Sequence, residues 1–165
     1  MDDFLARMRT AVDRRIKELY ETIGHEVVGM ILSWETAASY FDDPDPRFRE
    51  AALYLMWICW RGRPDTEVHF AKAGLSDPSP HIRTLALQWL AFDYAGKCDP
   101  NVCTVLAWAA MDKASPVSLR GHAYEMFCVV REIDVSEAVN DAIDAATDDL
   151  PPEVDLTLVK AFAAG

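Results

Sequence analysis

The chain has 165 residues, 51% of them apolar, with 27 Asp and Glu against 16 Lys and Arg and a formal net charge of −11. Apolar content at this level gives a domain of ordinary size enough core to fold and excludes wholesale disorder. The acidic excess argues against nucleic acid as the main ligand, because a phosphate backbone is held by clustered Lys and Arg.

Taken in chain order, the apolar pattern has helical periodicity throughout, and no segment alternates with period two as a strand would. A lead-in helix pair is expected over 3–22 and 25–41. Three further pairs follow at 46–61 with 65–74, 80–95 with 100–112, and 116–132 with 135–147. A last helix at 152–163 is left without a partner and is expected to act as a cap. The reading is all-α, roughly nine helices in one domain over 1–165: a lead-in pair (1–41), three repeats (42–149) and a terminal capping helix (150–165).

Helix starts are marked by side chains. Asp45-Pro46, Ser79-Pro80, Ser115-Pro116 and Asp99-Pro100 each place an N-cap residue before a proline at the first helical position, where a missing N–H costs nothing. Asp134 with Glu137 has the spacing of a capping box. The longest apolar run, residues 51–60, is about half the ~20 residues of a bilayer span, so it reads as a buried helix. The start, Met1-Asp2-Asp3, lacks an apolar leader. Cys59, Cys98, Cys103 and Cys128 have no paired short spacing and are expected to be free, buried thiols. A cytoplasmic location is the expectation.

Three segments repeat. Residues 43–52, 77–86 and 114–123 each carry an anchoring proline (Pro46, Pro80, Pro116), an apolar residue (Phe48, Ile82, Leu119), an arginine (Arg49, Arg83, Arg120) and an alanine (Ala52, Ala86, Ala123). A weaker fourth copy begins at Pro152. The pattern Asp-Pro-x-Pro-x-[apolar]-Arg-x-x-Ala at 43–52 and 77–86, looser at 114–123, resembles the HEAT-repeat family of α-solenoids over roughly residues 25–163. The resemblance implies a right-handed solenoid of about four helix pairs that serves as a binding scaffold. It also implies that Asp43, Asp77 and Asp112 pair with Arg49, Arg83 and Arg120 between neighbouring repeats, which would make those arginines structural.

No residue pattern favours catalysis. His25-Glu26-Val27-Val28-Gly29 begins like a zinc-protease helix but has Gly29 where a second histidine would be needed. Cys98 and Cys103 have no second ligand pair, so no metal is expected, and neither a phosphate loop nor a nucleophile elbow occurs, so no cofactor is expected. His122 and Glu125, one turn apart, read as a surface or interface pair.

Helical phase separates core from surface. Phe48, Ala52, Leu55 and Cys59 form one stripe, matched by Ile82, Ala86, Trp89 and Asp93, and by Leu119, Ala123, Met126 and Val130. On the opposite column, Tyr54 and Trp57 stand among residues that are otherwise polar or small, which marks them as partner-contact candidates. Trp108 lies off the Val102, Val105, Leu106, Ala109 stripe and is a third candidate. Glu137, Asp141, Asp144 and Asp148 recur at i, i+4, i+7 and i+11, with Ala138, Ala142, Ile143 and Ala146 opposite. From residue 133 onward eight acidic residues face a single basic one, Lys160. These features point to a protein-interaction scaffold with a basic protein partner, through a concave or an acidic surface. A sharper version is a small acidic inhibitor or immunity protein that neutralises a basic toxin enzyme. An enzyme or lyase subunit of HEAT-like type is the alternative from another class.

Overall fold

The computed structural model describes residues 34–164, which form eight α-helices and no strand. In chain order these are α1 (Trp34–Ser39), α2 (Pro46–Trp60), α3 (Pro64–Ser76), α4 (Pro80–Asp93), α5 (Pro100–Met111), α6 (Val117–Arg131), α7 (Glu137–Ala145) and α8 (Thr157–Ala163). The expected helix over 3–22, most of that over 25–41, and the His25–Gly29 segment lie outside the described residues. The chain divides into two compact units, Met1–Glu67 and Val68–Gly165, and the division falls inside α3.

In the first unit α1 packs on α2. Ala37, Ala51, Ala52, Leu53, Leu55 and Met56 are buried there, and Tyr40 stacks on Phe48 with centroids 5.7 Å apart. Trp34 is held from two sides: its Nε1 donates to Thr66 Oγ1 at 3.4 Å, and the Arg63 guanidinium lies 5.3 Å over its ring. Such a cation over an indole adds roughly 0.5–1 kcal/mol at an exposed site.

In the second unit α6 is central, packing on α4, α5 and α7. Its stripe of Leu119, Ala123, Met126 and Val130 is buried, as are Ile82, Ala86 and Trp89 on α4. Close approach comes from small residues. A Cβ on Gly74 of α3 would lie 2.6 Å from Leu87 Cδ2, and one on Gly121 of α6 would lie 2.2 Å from Ile143 Cγ2. Glycine at those two positions is what lets the neighbouring side chains seat. The last helix departs from the expected repeat. It is α8, not α7, that lies extensively along α5, while α7 leans on α6. α8 is therefore not unpartnered: Phe162 meets Phe127 edge-on at 5.6 Å, Arg131 sits 5.5 Å over the Phe162 ring, and Val159 is wholly buried.

The helix starts follow the capping chemistry in part. Asp45 accepts from Arg47 N at 2.9 Å, and Asp99 accepts from both Asn101 N and Val102 N. Ser79 occupies the N-cap position of α4 without a side-chain cap bond. Ser115 does not cap α6: Pro116 occupies the N-cap position, without a side-chain cap bond, and the Ser115 hydroxyl is drawn to the Asp112 carboxylate. The capping box also fails. α7 begins at Glu137, with Ser136 before it, so Glu137 is one residue into the helix and not three, and it cannot reach back. The last helix starts at Thr157 instead of 152. Residues 151–154 form a turn (Val154 N to Pro151 O), and Asp155 Oδ1 accepts from Thr157 N at 2.9 Å.

The aspartate–arginine pattern is where the repeat becomes visible as chemistry. Asp43, Asp77 and Asp112 each accept from a backbone N–H two residues on, fixing the turn before the next helix. Arg83 on α4 donates through Nε to Gly74 O near the end of α3 and through Nη2 to Asp112 Oδ2 at 3.3 Å after α5. Arg120 on α6 repeats the arrangement: Nε donates to Ala110 O near the end of α5, and Nη1 lies 2.7 Å from Asp149 Oδ1 after α7. Each arginine thus satisfies a carbonyl that a helix end leaves without an intrahelical donor, and bridges to the following repeat. The implied Asp112 pair with Arg83 is present. Arg49 donates to the main-chain carbonyls of Asp43 and Pro44, ahead of its own helix.

Candidate functional site

The acidic stretch is built on α7. Glu137, Asp141 and Asp144 are exposed on this nine-residue helix, and Asp148 is exposed beyond its end. The expected four-residue stripe therefore keeps three members on the helix. Ala145 is the last helical residue, and the chain bends through 147–149. The apolar face is narrower than the pattern implied, since Ile143 alone is buried and Ala138 is exposed. A nine-residue helix docked by one isoleucine needs only one deep contact, and the Gly121 notch provides it. Among the described residues none of the four carboxylates has an ion-pair partner. Asp149 differs, because the Arg120 guanidinium and the Leu150 N–H hold its carboxyl down to about 2.

The aromatic candidates separate. Trp108, on α5, is 47% exposed, and its Nε1 donates to Ala163 O at 3.0 Å, so the indole fastens α8 while presenting one face to solvent. Tyr54 and Trp57, in the first unit, are half-buried on α2. The positions matching Trp57 do not continue an open column: Ala91 on α4 and Cys128 on α6 are buried, and so is Gly121, two turns before Cys128. On α6 that column is where α7 sits. Within the second unit the structure bonds Trp108 to α8 and not to the α7 carboxylates.

It does assemble groups that the sequence reading had left apart. A cleft of about 270 Å³ in the second unit is walled by α4, α6 and α7 through Thr84, Ser118, His122, Glu125, Ile143 and Asp144. A neighbouring one of about 410 Å³, lined by Val129, Ile133, Asp134 and Asn140 among others, shares Glu125. Val129 and Ile133 are two of the larger exposed apolar side chains. Ser118, His122 and Glu125 stand at i, i+4 and i+7 on one face of α6; the sequence pairs His122 with Glu125, and the same spacing could have added Ser118. Their chemistry is not that of a nucleophile and its base. His122 Nδ1 is 3.6 Å from Glu125 Oε2, too long for a hydrogen bond, and the buried Nε2 accepts from and donates to nothing among the described residues.

No group of three or more His, Cys, Asp or Glu among the described residues is arranged to hold a metal ion. Cys103 and Cys128 are buried, with thiols pushed up by that burial, whereas Cys98 is exposed in the loop after α4, contrary to the expected burial. No described helix is long and apolar enough to cross a membrane. Comparison with known proteins finds no matching family model, no matching curated protein and no matching solved structure.

Proposed function

We propose that this chain is a protein-interaction module whose second unit meets a basic protein partner through the acidic surface of α7, on HEAT-like helix pairs stacked as a right-handed α-solenoid. The observation that carries this reading is a set of exposed, unpaired carboxylates on one short helix and its exit: Glu137, Asp141, Asp144 and Asp148. Elsewhere in the same unit carboxylates are absorbed structurally, Asp112 by Arg83 and Ser115, Asp149 by Arg120 and Lys113, and Asp155 by the start of α8. Exposed like charges without partners on one surface raise association rates with a cationic one. The recurring arginine bridge supports the repeat half of the reading. Trp108, immobilised by Ala163 O, offers a preorganised aromatic face that loses little entropy on contact.

The test uses a fluorescently labelled oligo-arginine peptide and measures its affinity by anisotropy. The quadruple variant Glu137→Gln, Asp141→Asn, Asp144→Asn, Asp148→Asn should bind it more weakly than a variant with four carboxylates neutralised elsewhere (Asp42, Asp65, Glu67 and Glu153). Equal losses in the two variants would reduce the binding to net charge and contradict a localised surface.

A further inference from the structure

The 270 Å³ cleft lies below the roughly 300–1,000 Å³ of sites that enclose drug-sized ligands, so it suits a single side chain or a small ion of similar bulk. Its polar walls come from three helices: Thr84 from α4, Ser118, His122 and Glu125 from α6, and Asp144 from α7. No Lys or Arg lines it, and neither of its carboxylates has a lysine or arginine partner among the described residues. An anion would meet two like charges there. A cation with several N–H donors would meet two carboxylates and two hydroxyls, and Ile143 offers apolar contact to the methylene stem of such a group.

The histidine adds a second, independent feature. His122 Nδ1 lies on the Glu125 side, 3.6 Å from its Oε2. Its other ring nitrogen, Nε2, is shut from solvent and has no hydrogen-bond partner among the described residues. A buried ring nitrogen left unmatched is costly, and turning the imidazole toward a polar group bound in the cleft would relieve it.

We propose that this cleft is a binding site for a guanidinium or primary ammonium group, carried on a basic side chain of the protein partner. This rests on the reading above for the partner's charge and shares Asp144 with that surface, but the site is a local one, and Glu125 and Ser118 test it apart from the other α7 carboxylates. A guanidinium carries five N–H donors against three on an ammonium, which makes arginine the better occupant of a cleft lined by two carboxylates and two hydroxyls.

The experiment is a titration of the full chain with n-butylguanidinium and with n-butylammonium, followed by the His122 ring resonances and the backbone amides of Thr84, Ser118 and Asp144. Saturating shifts confined to these residues are expected, tighter for the guanidinium. Glu125→Gln with Asp144→Asn should weaken binding at least about tenfold, because hydrogen bonds to charged groups contribute about 1.5–3 kcal/mol. Glu137→Gln with Asp141→Asn, which removes the same charge from α7 outside the cleft, should change it far less. Ser118→Phe keeps every charge and fills the exposed mouth, so it should abolish saturation with the fold intact. Non-saturating shifts spread over the acidic surface, or equal losses in the two charge pairs, would overturn the site while leaving the oligo-arginine test of the acidic surface untouched. The source is resolved by the same resonances: an arginine-containing peptide that binds tighter than free butylguanidinium supports a partner's side chain. A free amine that binds as tightly as the peptide would overturn that assignment.

Discussion

Asp149 and Asp144 lie five residues apart in the same acidic stretch, yet their surroundings assign them opposite roles. Arg120 is 3% exposed in its side chain and has Asp149 as its carboxylate partner, so removing Asp149 leaves a buried guanidinium without its counter-charge. Asp149→Ala should lower the melting temperature clearly at neutral pH, whereas Asp144→Asn should move stability by less than about 0.5 kcal/mol, as exposed charge changes usually do. The sign with pH follows from the depressed carboxyl. Asp149 contributes stability that is present above its ordinary value of 3.8 and is lost as pH falls toward about 2. The melting difference between wild type and Asp149→Ala should therefore shrink across that window, and a gap that persists at pH 2 would contradict the pairing. Asp149 also shows what was legible and missed. It stands three residues before Pro152, as Asp43 and Asp77 stand three before Pro46 and Pro80, so the repeat marks it as the fourth turn aspartate. Its charge had grouped it with the solvated acids instead. Trp108 was legible as an exposed aromatic, but its bond to Ala163 spans 55 residues and no local pattern announces it. Trp108→Phe should cost about 0.5–1.5 kcal/mol, read as loss of amide-exchange protection in α8 more than in α4.

At the scale of the helix, phase was read well where a helix is covered by repeat neighbours and poorly where it is not. The stripes of α4 and α6 are buried because period 3.6 and packing agree. α7 deviates because it docks through Ile143 into the gap at Gly121, a contact set by one glycine's missing side chain and invisible to periodicity. The helix ends at Ala145, which leaves Asp148 beyond it. A double-mutant cycle tests this seat. Gly121→Ala should cost about 1–3 kcal/mol through overpacking, and much of that cost should disappear in an Ile143→Ala background, where the clashing branch is gone. Additive costs in chemical denaturation would mean that Gly121 matters for some reason other than α7. The start of α8 was placed five residues early because Pro152 mimics the earlier repeat starts, while Asp155 supplies the actual cap.

Over the whole molecule, the all-helical class follows from a pattern with no period-two segment, and among the described residues it is observed. Partner chemistry was legible only as a charge excess. The cleft was not, since Thr84, His122 and Asp144 come from three helices whose meeting depends on packing. The central claim is that unpaired carboxylates on and just beyond α7 steer a basic partner. Stopped-flow association with the oligo-arginine peptide tests it most directly, run at roughly 0.1 M and 1 M salt, between which the Debye length falls from about 10 to about 3 Å. Wild type should associate much faster at low salt, and the variant neutralised at Glu137, Asp141, Asp144 and Asp148 should lose most of that salt dependence. A variant that retains the full salt dependence of the wild type would contradict the claim.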